Sequence, residues 1–442
     1  MATTRRRAGW IATRRAATVS AVVLRALGAG ARAALAGRHD GPRRVRDALA
    51  ELGPTFVKLG QVLSTRPDLV PPRLEAALAT LQDDAPSVEA GAVERALRRE
   101  LGRDPGELYE TFDWVPLAAA SIGQVHAATL HDGRRVVVKI RRPGVVAAVE
   151  EDLVVLRIGA GALGMVPGAM RRVDVAGFVE QFAETIRGEL DYVAEGRNAD
   201  RARRDLAGLP VHVPAVVWEA TSHGALTLER IDGVKIDDLA GLDRIGADRP
   251  ALARALAYLY LSMVFSHGFF HADPHPGNLF VEPDGTIALV DFGMVGTVEP
   301  EVRRALVEIV LALVSHDTRR TVAAMRGLGV APASVDEEAF VTELDRLTAA
   351  SIEIPVGELR VGPLVADLMT VSRRHRLAFP RELALLVKTV VMCEGLAALL
   401  DPGFALPEVL VAFALEAFGH LPPPPGSGGA RPGGPRLGGP GA

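Results

Sequence analysis

Residues 271–280 read His-Ala-Asp-Pro-His-Pro-Gly-Asn-Leu-Phe, and residues 289–293 read Leu-Val-Asp-Phe-Gly. Two carboxylates, an amide and two imidazoles crowd a short stretch. Such oxygen donors suit Mg²⁺, which takes one or two carboxylates from a protein and completes its shell with phosphate oxygens and water. Phosphoryl transfer requires the triphosphate's charge to be neutralised and the reacting oxygen to be positioned. Asp273 can orient an acceptor hydroxyl or water, and Asn278 can offer its side-chain oxygen to a metal. Asp291, at the end of the apolar run Ile-Ala-Leu-Val, can bridge a second metal to the phosphates. Gly277 and Gly293 would allow tight turns beside these ligands. His271 and His275 are four apart, as in a helical zinc pair, but Pro274 and Pro276 oppose a helix here. His271 therefore reads as a residue that orients backbone.

A triphosphate also needs a cation at its other end. Lys139 lies in Arg-Val-Val-Val-Lys-Ile (135–140), an alternating strand pattern, and fits a lysine that grips the α- and β-phosphates. Such a lysine needs a helix carboxylate to position it. Residues 188–198 supply Glu189, Asp191 and Glu195. Glu189 and Glu195 do not share a vertical row of a helix, so one faces Lys139 and the other serves a different partner. The phosphate-covering loop falls at 117–125, through Ala118, Ala119, Ala120, Ser121, Ile122, Gly123, Gln124 and Val125. Alanines can still present N–H groups to phosphate but restrict φ, so the loop should be stiffer than a glycine-rich one. Glu229, Arg230 and Ile231 form the connector whose backbone would meet adenine.

The elements that must position these groups are legible in outline. Helical pattern runs to about residue 110. Alternating runs at 121–130 and 135–140 flank His-Asp-Gly-Arg, a hairpin signal. A helical stretch over 174–205 follows, then two further strands within 213–231. Beyond about 235 the pattern is helical, except for strand–turn–strand over 279–293.

Hydrophobic residues make up 48% of the 442, and charged residues 24%, a globular balance. The net charge of −4 argues against a general nucleic-acid binder. The single cysteine, Cys393, rules out an intrachain disulfide and reads as a buried thiol in a reducing compartment. The chain contains only four lysines, Lys58, Lys139, Lys235 and Lys388; in so lysine-poor a chain a lysine can mark a place where an ammonium is needed over a guanidinium, while Lys235 reads as a surface residue. Residues 1–48 carry eleven arginines among apolar residues at helical spacing. They read as an amphipathic helix on an anionic membrane surface, as a partly disordered arm, or as a helix packed on its own domain. No segment offers about 20 consecutive apolar residues; 153–170 and 384–401 read as core helices. This points to a cytoplasmic protein, with peripheral contact at the inner face of the plasma membrane as the open alternative.

Five motifs follow in order: KLGQ at 58–61, AAAS at 118–121, VVVK at 136–139, ELD-Y-x-x-E at 189–195, and HADPHPGN with DFG. With them the chain resembles the UbiB (AarF) family of atypical protein kinase-like proteins, whose domain is named for activity of the bc-one complex. HADPHPGN alone is also similar to aminoglycoside and choline phosphotransferases, which would leave KLGQ, AAAS and ELD unexplained. The resemblance implies an α+β, protein kinase-like two-lobed fold. A small β-rich N-lobe (116–232) and a larger helical C-lobe (233–420) would follow a basic amphipathic arm (1–48) and a helical extension carrying KxGQ (49–115). A Pro/Gly tail (421–442) would be disordered.

The same resemblance implies ATP and Mg²⁺ as cofactors. Asp273, Lys139 and Glu195 would be catalytic, Asn278 and Asp291 metal ligands, and 118–125, Lys139, Glu229 and Ile231 nucleotide contacts. It pairs Lys139 with Glu195, and Glu189 and Asp191 with Lys58. Lys58, Gln61, Glu189 and Asp191 would form an inhibitory or selective cover over the place where an ordinary kinase seats a protein substrate. Implied activity is ATPase or atypical kinase, tied to isoprenoid-quinone biosynthesis or membrane lipids, with a lipid or quinone precursor as ligand. A nucleotide-gated lipid-handling scaffold with little turnover is the alternative. The sequence has neither an HRD triplet nor an Ala-Pro-Glu element after Gly293, which argues against an ordinary protein kinase.

Overall fold

The computed structural model describes residues 15, 17–19, 21–22, 25 and 40–418, except 65–68, 82–84, 165–173, 315–316, 329, 331–336, 353–359 and 375–380. The expected Pro/Gly tail and most of the basic arm lie outside the described residues.

Helices α1 (Gly41–Leu52), α2 (Pro54–Leu63), α3 (Pro72–Leu78) and α4 (Ala90–Leu101) come first. Prolines stand in the first turns of α1, α2 and α3, where a missing N–H costs no hydrogen bond. Strands β1 (Tyr109–Phe112), β2 (Ala118–Ala119), β3 (Gly123–Leu130) and β4 (Arg135–Arg141) follow. Asp132-Gly133 turns the chain between β3 and β4, with Gly133 at φ 84°. Helices α5 (Val145–Gly164), α6 (Val175–Glu189) and α7 (Tyr192–Asp205) lead to β5 (Val211–His212) and β6 (Ala225–Glu229).

The N-lobe sheet has the order β1-β3-β4-β6, with β2 on β3, and every pairing is antiparallel. Period-2 alternation sends Val136, Val138 and Ile140 into the core against α4 and leaves Lys139 on the other face. Two expectations need correction. Tyr109–Phe112 is a strand that begins within the last residues of the stretch read as helical, because it gains a ladder partner in Ala128–Leu130. Residues 213–231 hold one strand, β6, rather than two: its neighbour shrinks to a Val216–Leu228 bridge and a one-turn 3₁₀ helix at Trp218–Ala220.

Beyond β6 come β7 (Val234–Lys235), α8 (Leu239–Arg244) and α9 (Arg249–Leu261), then β8 (Phe269–His271), β9 (Leu279–Val281), β10 (Ile287–Leu289) and β11 (Val295–Thr297). One small sheet runs β5-β10-β9-β7, and β11 pairs with β8. Helices α10 (Pro300–Val314), α11 (Thr318–Gly327), α12 (Glu337–Ile352), α13 (Val361–Arg374), α14 (Arg381–Leu400) and α15 (Leu406–Phe418) complete the C-lobe.

Among the described residues one segment, Glu382–Leu400 within α14, is long and apolar enough to cross a membrane. Its Leu386, Cys393, Leu396, Ala397 and Leu400 instead join Leu252, Leu256 and Phe292 in the C-lobe core. The two charges in its middle are also engaged inside the lobe: Glu394 accepts from Val361 and Gly362 N–H, and Lys388 reaches Asp273.

The described part of the basic arm packs on its own domain, one of the readings open from the sequence. Val19 and Val22 join Leu52, Phe56, Val149 and Phe182 in a core between α1, α2, α5 and α6. Arg15 forms an ion pair with buried Asp152 and donates to Leu52 O at 2.6 Å.

Candidate active site

Lys139 reaches across from β4 to α7. Its Nζ lies 3.0 and 2.9 Å from the two carboxylate oxygens of Glu195 and 3.1 Å from Asp291 Oδ2. The ammonium also sits 5.2 Å over the ring of Tyr192. Tyr192 opens α7 behind its N-cap, Asp191, so one short sequence both starts the helix and places Glu195 one turn in. Burial would push the Asp291 carboxyl up, but Lys139, with Lys58 further off, holds it down at about 2. Glu195 is wholly buried; burial, opposed by Lys139 and aided by Asp291, raises it to about 7. One ammonium thus faces two carboxylates, and the pocket is one positive charge short.

The loop 271–280 is built around His271, which is fully buried. Its Nε2 lies 3.2 and 3.0 Å from the carbonyls of Val290 and Asp291, so this nitrogen carries the proton and donates. Nδ1 then accepts from the Asp273 N–H at 3.3 Å. Burial keeps the ring neutral. One imidazole therefore joins Asp273 to the backbone of Asp291, which is the orienting role expected of it. His275 is exposed and caps the turn Pro276–Asn278 through Gly277 N–H at 3.1 Å; it points away from a shared zinc site.

Asn278 donates from Nδ2 to Asp273 O at 3.2 Å and to Asp273 Oδ2 at 3.4 Å. Its side-chain oxygen is left for another partner. Asp291 is the one non-glycine among the described residues with positive φ, 60°. Such strain persists where surroundings over-determine it, often at functional sites. The tight geometry expected of Gly277 and Gly293 falls on Asp291 itself. Phe292 packs into the core, edge-on to His271 at 5.3 Å between centroids.

Among the described residues no group of three or more His, Cys, Asp or Glu side chains forms a metal cage. Two oxygens, from Asn278 and Asp291, beside a pocket short of positive charge fit Mg²⁺, which draws its other ligands from phosphate and water. They would not satisfy zinc.

The alanine-rich loop is a tight hairpin. Ala118 and Ala119 form β2, Ala120 N–H bonds Gly123 O at 2.8 Å, and Ser121 and Ile122 make the tip. Arg142 clamps it by donating to Ala120 O and Pro86 O, each at 2.7 Å. Val125 lies opposite Lys139 across the β3–β4 ladder. Two members differ from the nucleotide-contact expectation. Gln124 is buried, accepts from Val88 N–H and meets His126, so its amide braces the lobe. Ile122 points into the core of the cover, beside Phe56 and Leu59. Gly123 is glycine for space: a Cβ there would overlap Tyr192 Oη and lie 3.0 Å from Ile140 O.

At the connector, Glu229 N–H bonds Ala215 O and Arg230 N–H bonds Arg135 O. The Glu229 carboxylate accepts from Ala215 N–H and meets His212. Ile231, half-buried, follows at the lobe junction.

The cover is partly as expected. Lys58 on α2 pairs with Glu189 at 2.9 Å. Asp191 is engaged elsewhere: it caps α7 through Val193 and Ala194 N–H and lies 2.7 Å from His223 Nδ1. Gln61 donates to Leu81 O at 3.2 Å, and a Cβ at Gly60 would overlap Leu81 Cδ1. The Gly and Gln of KLGQ thus bind α2 to the segment after α3, while its lysine pairs with Glu189 and Leu59 shares a core with Leu190.

Sequence reasoning missed two residues. Asn198, one turn beyond Glu195 on α7, donates to Phe292 O at 3.1 Å; i, i+3 spacing was the available signal. Lys388, on α14, lies 3.2 Å from Asp273 Oδ1. Lysine scarcity pointed to it.

Residues 80–325 match the ABC1 atypical kinase-like domain and residues 344–405 the UbiB helical domain. An uncharacterized Synechocystis protein is 36% identical, over 85% of this chain and 65% of that one. The Arabidopsis thaliana chloroplast protein named Activity of BC1 Complex Kinase 7 is 34% identical, over 86% of this chain and 55% of its own length. The probable protein kinase UbiB of Marinobacter nauticus is 34% identical, over 82% of this chain and 67% of its own. The chain thus spans about two-thirds or less of the length of these relatives. Among solved structures, a Mycobacterium tuberculosis protein in complex with erythromycin is similar, with a TM-score of 0.59 and 28% identity, covering 84% of this chain and 93% of that one. The β-sheet lobe and following helical lobe are the kinase-like fold expected from the sequence.

Proposed function

The chain belongs to the ABC1 atypical kinase-like family, and from that premise we propose that it binds Mg²⁺–ATP and hydrolyses it or transfers the γ-phosphoryl group to a non-protein acceptor. The observation that carries this reading is the meeting of Lys139, Glu195 and Asp291 within 3.1 Å, with His271 linking Asp291 to Asp273. In it, Lys139 holds the nucleotide's phosphates, Glu195 and Tyr192 fix Lys139, and Asp273 orients the acceptor hydroxyl or water and takes its proton. Asn278 and Asp291 would hold Mg²⁺, which when bound neutralises charge on the phosphate oxygens. The biological role proposed is support of isoprenoid-quinone biosynthesis or membrane-lipid homeostasis. A lipid or quinone-precursor ligand, and peripheral membrane contact through the basic N-terminus, belong to the same proposal.

Replacing Asp291 by Asn tests it. Turnover of Mg²⁺–ATP should fall at least a hundredfold, and a variant that binds and turns over nucleotide like the parent overturns the metal site. A second reading, a nucleotide-gated lipid-handling scaffold, draws on the burial of Ile122 in the core of the cover, which couples the nucleotide loop to α2. Nucleotide binding without hydrolysis, with and without liposomes or a phenolic quinone precursor, would favour it.

A further inference from the structure

Asp273 is held at nearly every polar atom. His271 receives its N–H, and its carbonyl accepts from His275 N–H at 2.6 Å and from Asn278 Nδ2 at 3.2 Å. Asn278 Nδ2 also touches Oδ2, at 3.4 Å. These partners all lie in the catalytic loop itself. The exception is at Oδ1, where the ammonium of Lys388 stands 3.2 Å away.

Lys388 arrives from α14, a helix otherwise rich in apolar residues, inside the stretch that matches the UbiB helical domain. The next residue, Thr389, is 1% exposed and donates to Ala272 O at 3.3 Å. Two successive residues of one helix thus grip two successive residues of the loop. Lys388 and Asp273 are both largely shielded, with side-chain exposures of 23% and 34%. An ammonium in a helix that packs into the lobe core carries a desolvation cost that a partner must offset. Three of the chain's four lysines now have a place around this cleft: Lys58 at Glu189, Lys139 at Glu195 and Asp291, and Lys388 at Asp273.

We infer that Lys388 is a positioning residue for Asp273, supplied to the catalytic loop by the helical domain. The inference rests on the proposed phosphoryl-transfer reading and adds to it. In that reaction the bond between Pγ and the oxygen bridging to the β-phosphate breaks, ADP keeps the electron pair, and the acceptor oxygen bonds to Pγ. The acceptor proton passes to the Asp273 carboxylate. Lys388 holds Oδ1 and so presents the remaining face of the carboxylate to the acceptor; α14 is therefore part of the site rather than a scaffold behind it.

The test uses the full chain and compares Lys388→Met, Lys388→Arg and Asp273→Asn. For each, kcat and KM for Mg²⁺–ATP, affinity for a fluorescent ATP analogue, and the melting temperature are measured. Lys388→Met should lower kcat at least tenfold with KM and nucleotide affinity within threefold of the parent, and Lys388→Arg should recover much of the loss. Two results overturn the inference while leaving the proposed function standing: Lys388→Met keeps kcat within twofold although Asp273→Asn loses it, or kcat, affinity and melting temperature fall together without rescue by arginine. Full turnover by Asp273→Asn, or a parent with no turnover, overturns the proposed catalysis and this inference with it.

Discussion

Lys139 is the hinge of the site's electrostatics because it serves Glu195 and Asp291 at once. Sign and pH follow from the two carboxylates. Asp291, held at about 2, stays ionised throughout the physiological range. Glu195 is raised to about 7 in the fold from an ordinary 4.5. A raised carboxyl contributes stability that is fully present below its unfolded value and lost as pH rises through the folded one. The parent should therefore weaken, from this group, between pH 4.5 and about 7. Replacing Lys139 by Met removes the counter-charge and leaves buried carboxylates facing each other. We expect a loss of about 3 kcal/mol at pH 8, the scale of a broken buried ion pair. The loss should shrink at pH 5.5, where Glu195 takes up a proton. Urea unfolding of parent and variant at both pH values measures it; an equal loss at each would refute the assignment of Glu195 as the group that titrates. At this scale the sequence was informative about which residues meet: Lys139 contacts Glu195 and Asp291, and His271 and Asn278 both contact Asp273. It misled at Asp191, because the same carboxylate serves equally well as an N-cap, and only the fold decides between the two.

The β2–β3 hairpin and the start of α7 are locked together at a single contact. Gly123 leaves room for Tyr192 Oη, and that hydroxyl is buried with no hydrogen-bond partner among the described residues. Gly123→Ala should cost about 2 kcal/mol through overpacking against both Tyr192 and the Ile140 carbonyl. Tyr192→Phe alone should be neutral or mildly stabilising, because it removes a buried polar group that lacks a partner. In the double variant the penalty of Gly123→Ala should be partly relieved. A double-variant cycle by denaturant unfolding reads this, and strict additivity would show that the hydroxyl is not what excludes the methyl. The contact could not be read from sequence, where Gly123 stood only as one member of the expected phosphate-covering loop. Elements whose signals are local were legible: the Asp132-Gly133 hairpin, and strand–turn–strand at 279–293. Tyr109–Phe112 was not, since so short a strand exists only by pairing with β3, about twenty residues away.

Across the whole molecule, α2, the β2–β3 hairpin and the N-terminal arm share one apolar core. Ile122 from the loop tip, Phe56 and Leu59 from α2, Phe182 and Ile186 from α6, and Val22 from the arm all lie in it. The basic arm is thus part of the fold at the positions described, and its arginines are not equivalent. Arg15 pairs with Asp152, whose side chain is 2% exposed, whereas Arg25 and Glu51 are 66% and 55% exposed. Arg15→Ala strands a buried carboxylate and should cost about 3 kcal/mol. Arg25→Ala removes an exposed pair and should cost no more than about 0.5 kcal/mol. Denaturant midpoints of the two variants decide between an arm that clasps the cover and one that merely lies over it. If both arginines prove dispensable, the clasp is absent. If Arg15 alone matters, any membrane contact made by the arm must use its other basic residues, and an event that draws the arm away would loosen the same core that holds Ile122 over the cleft.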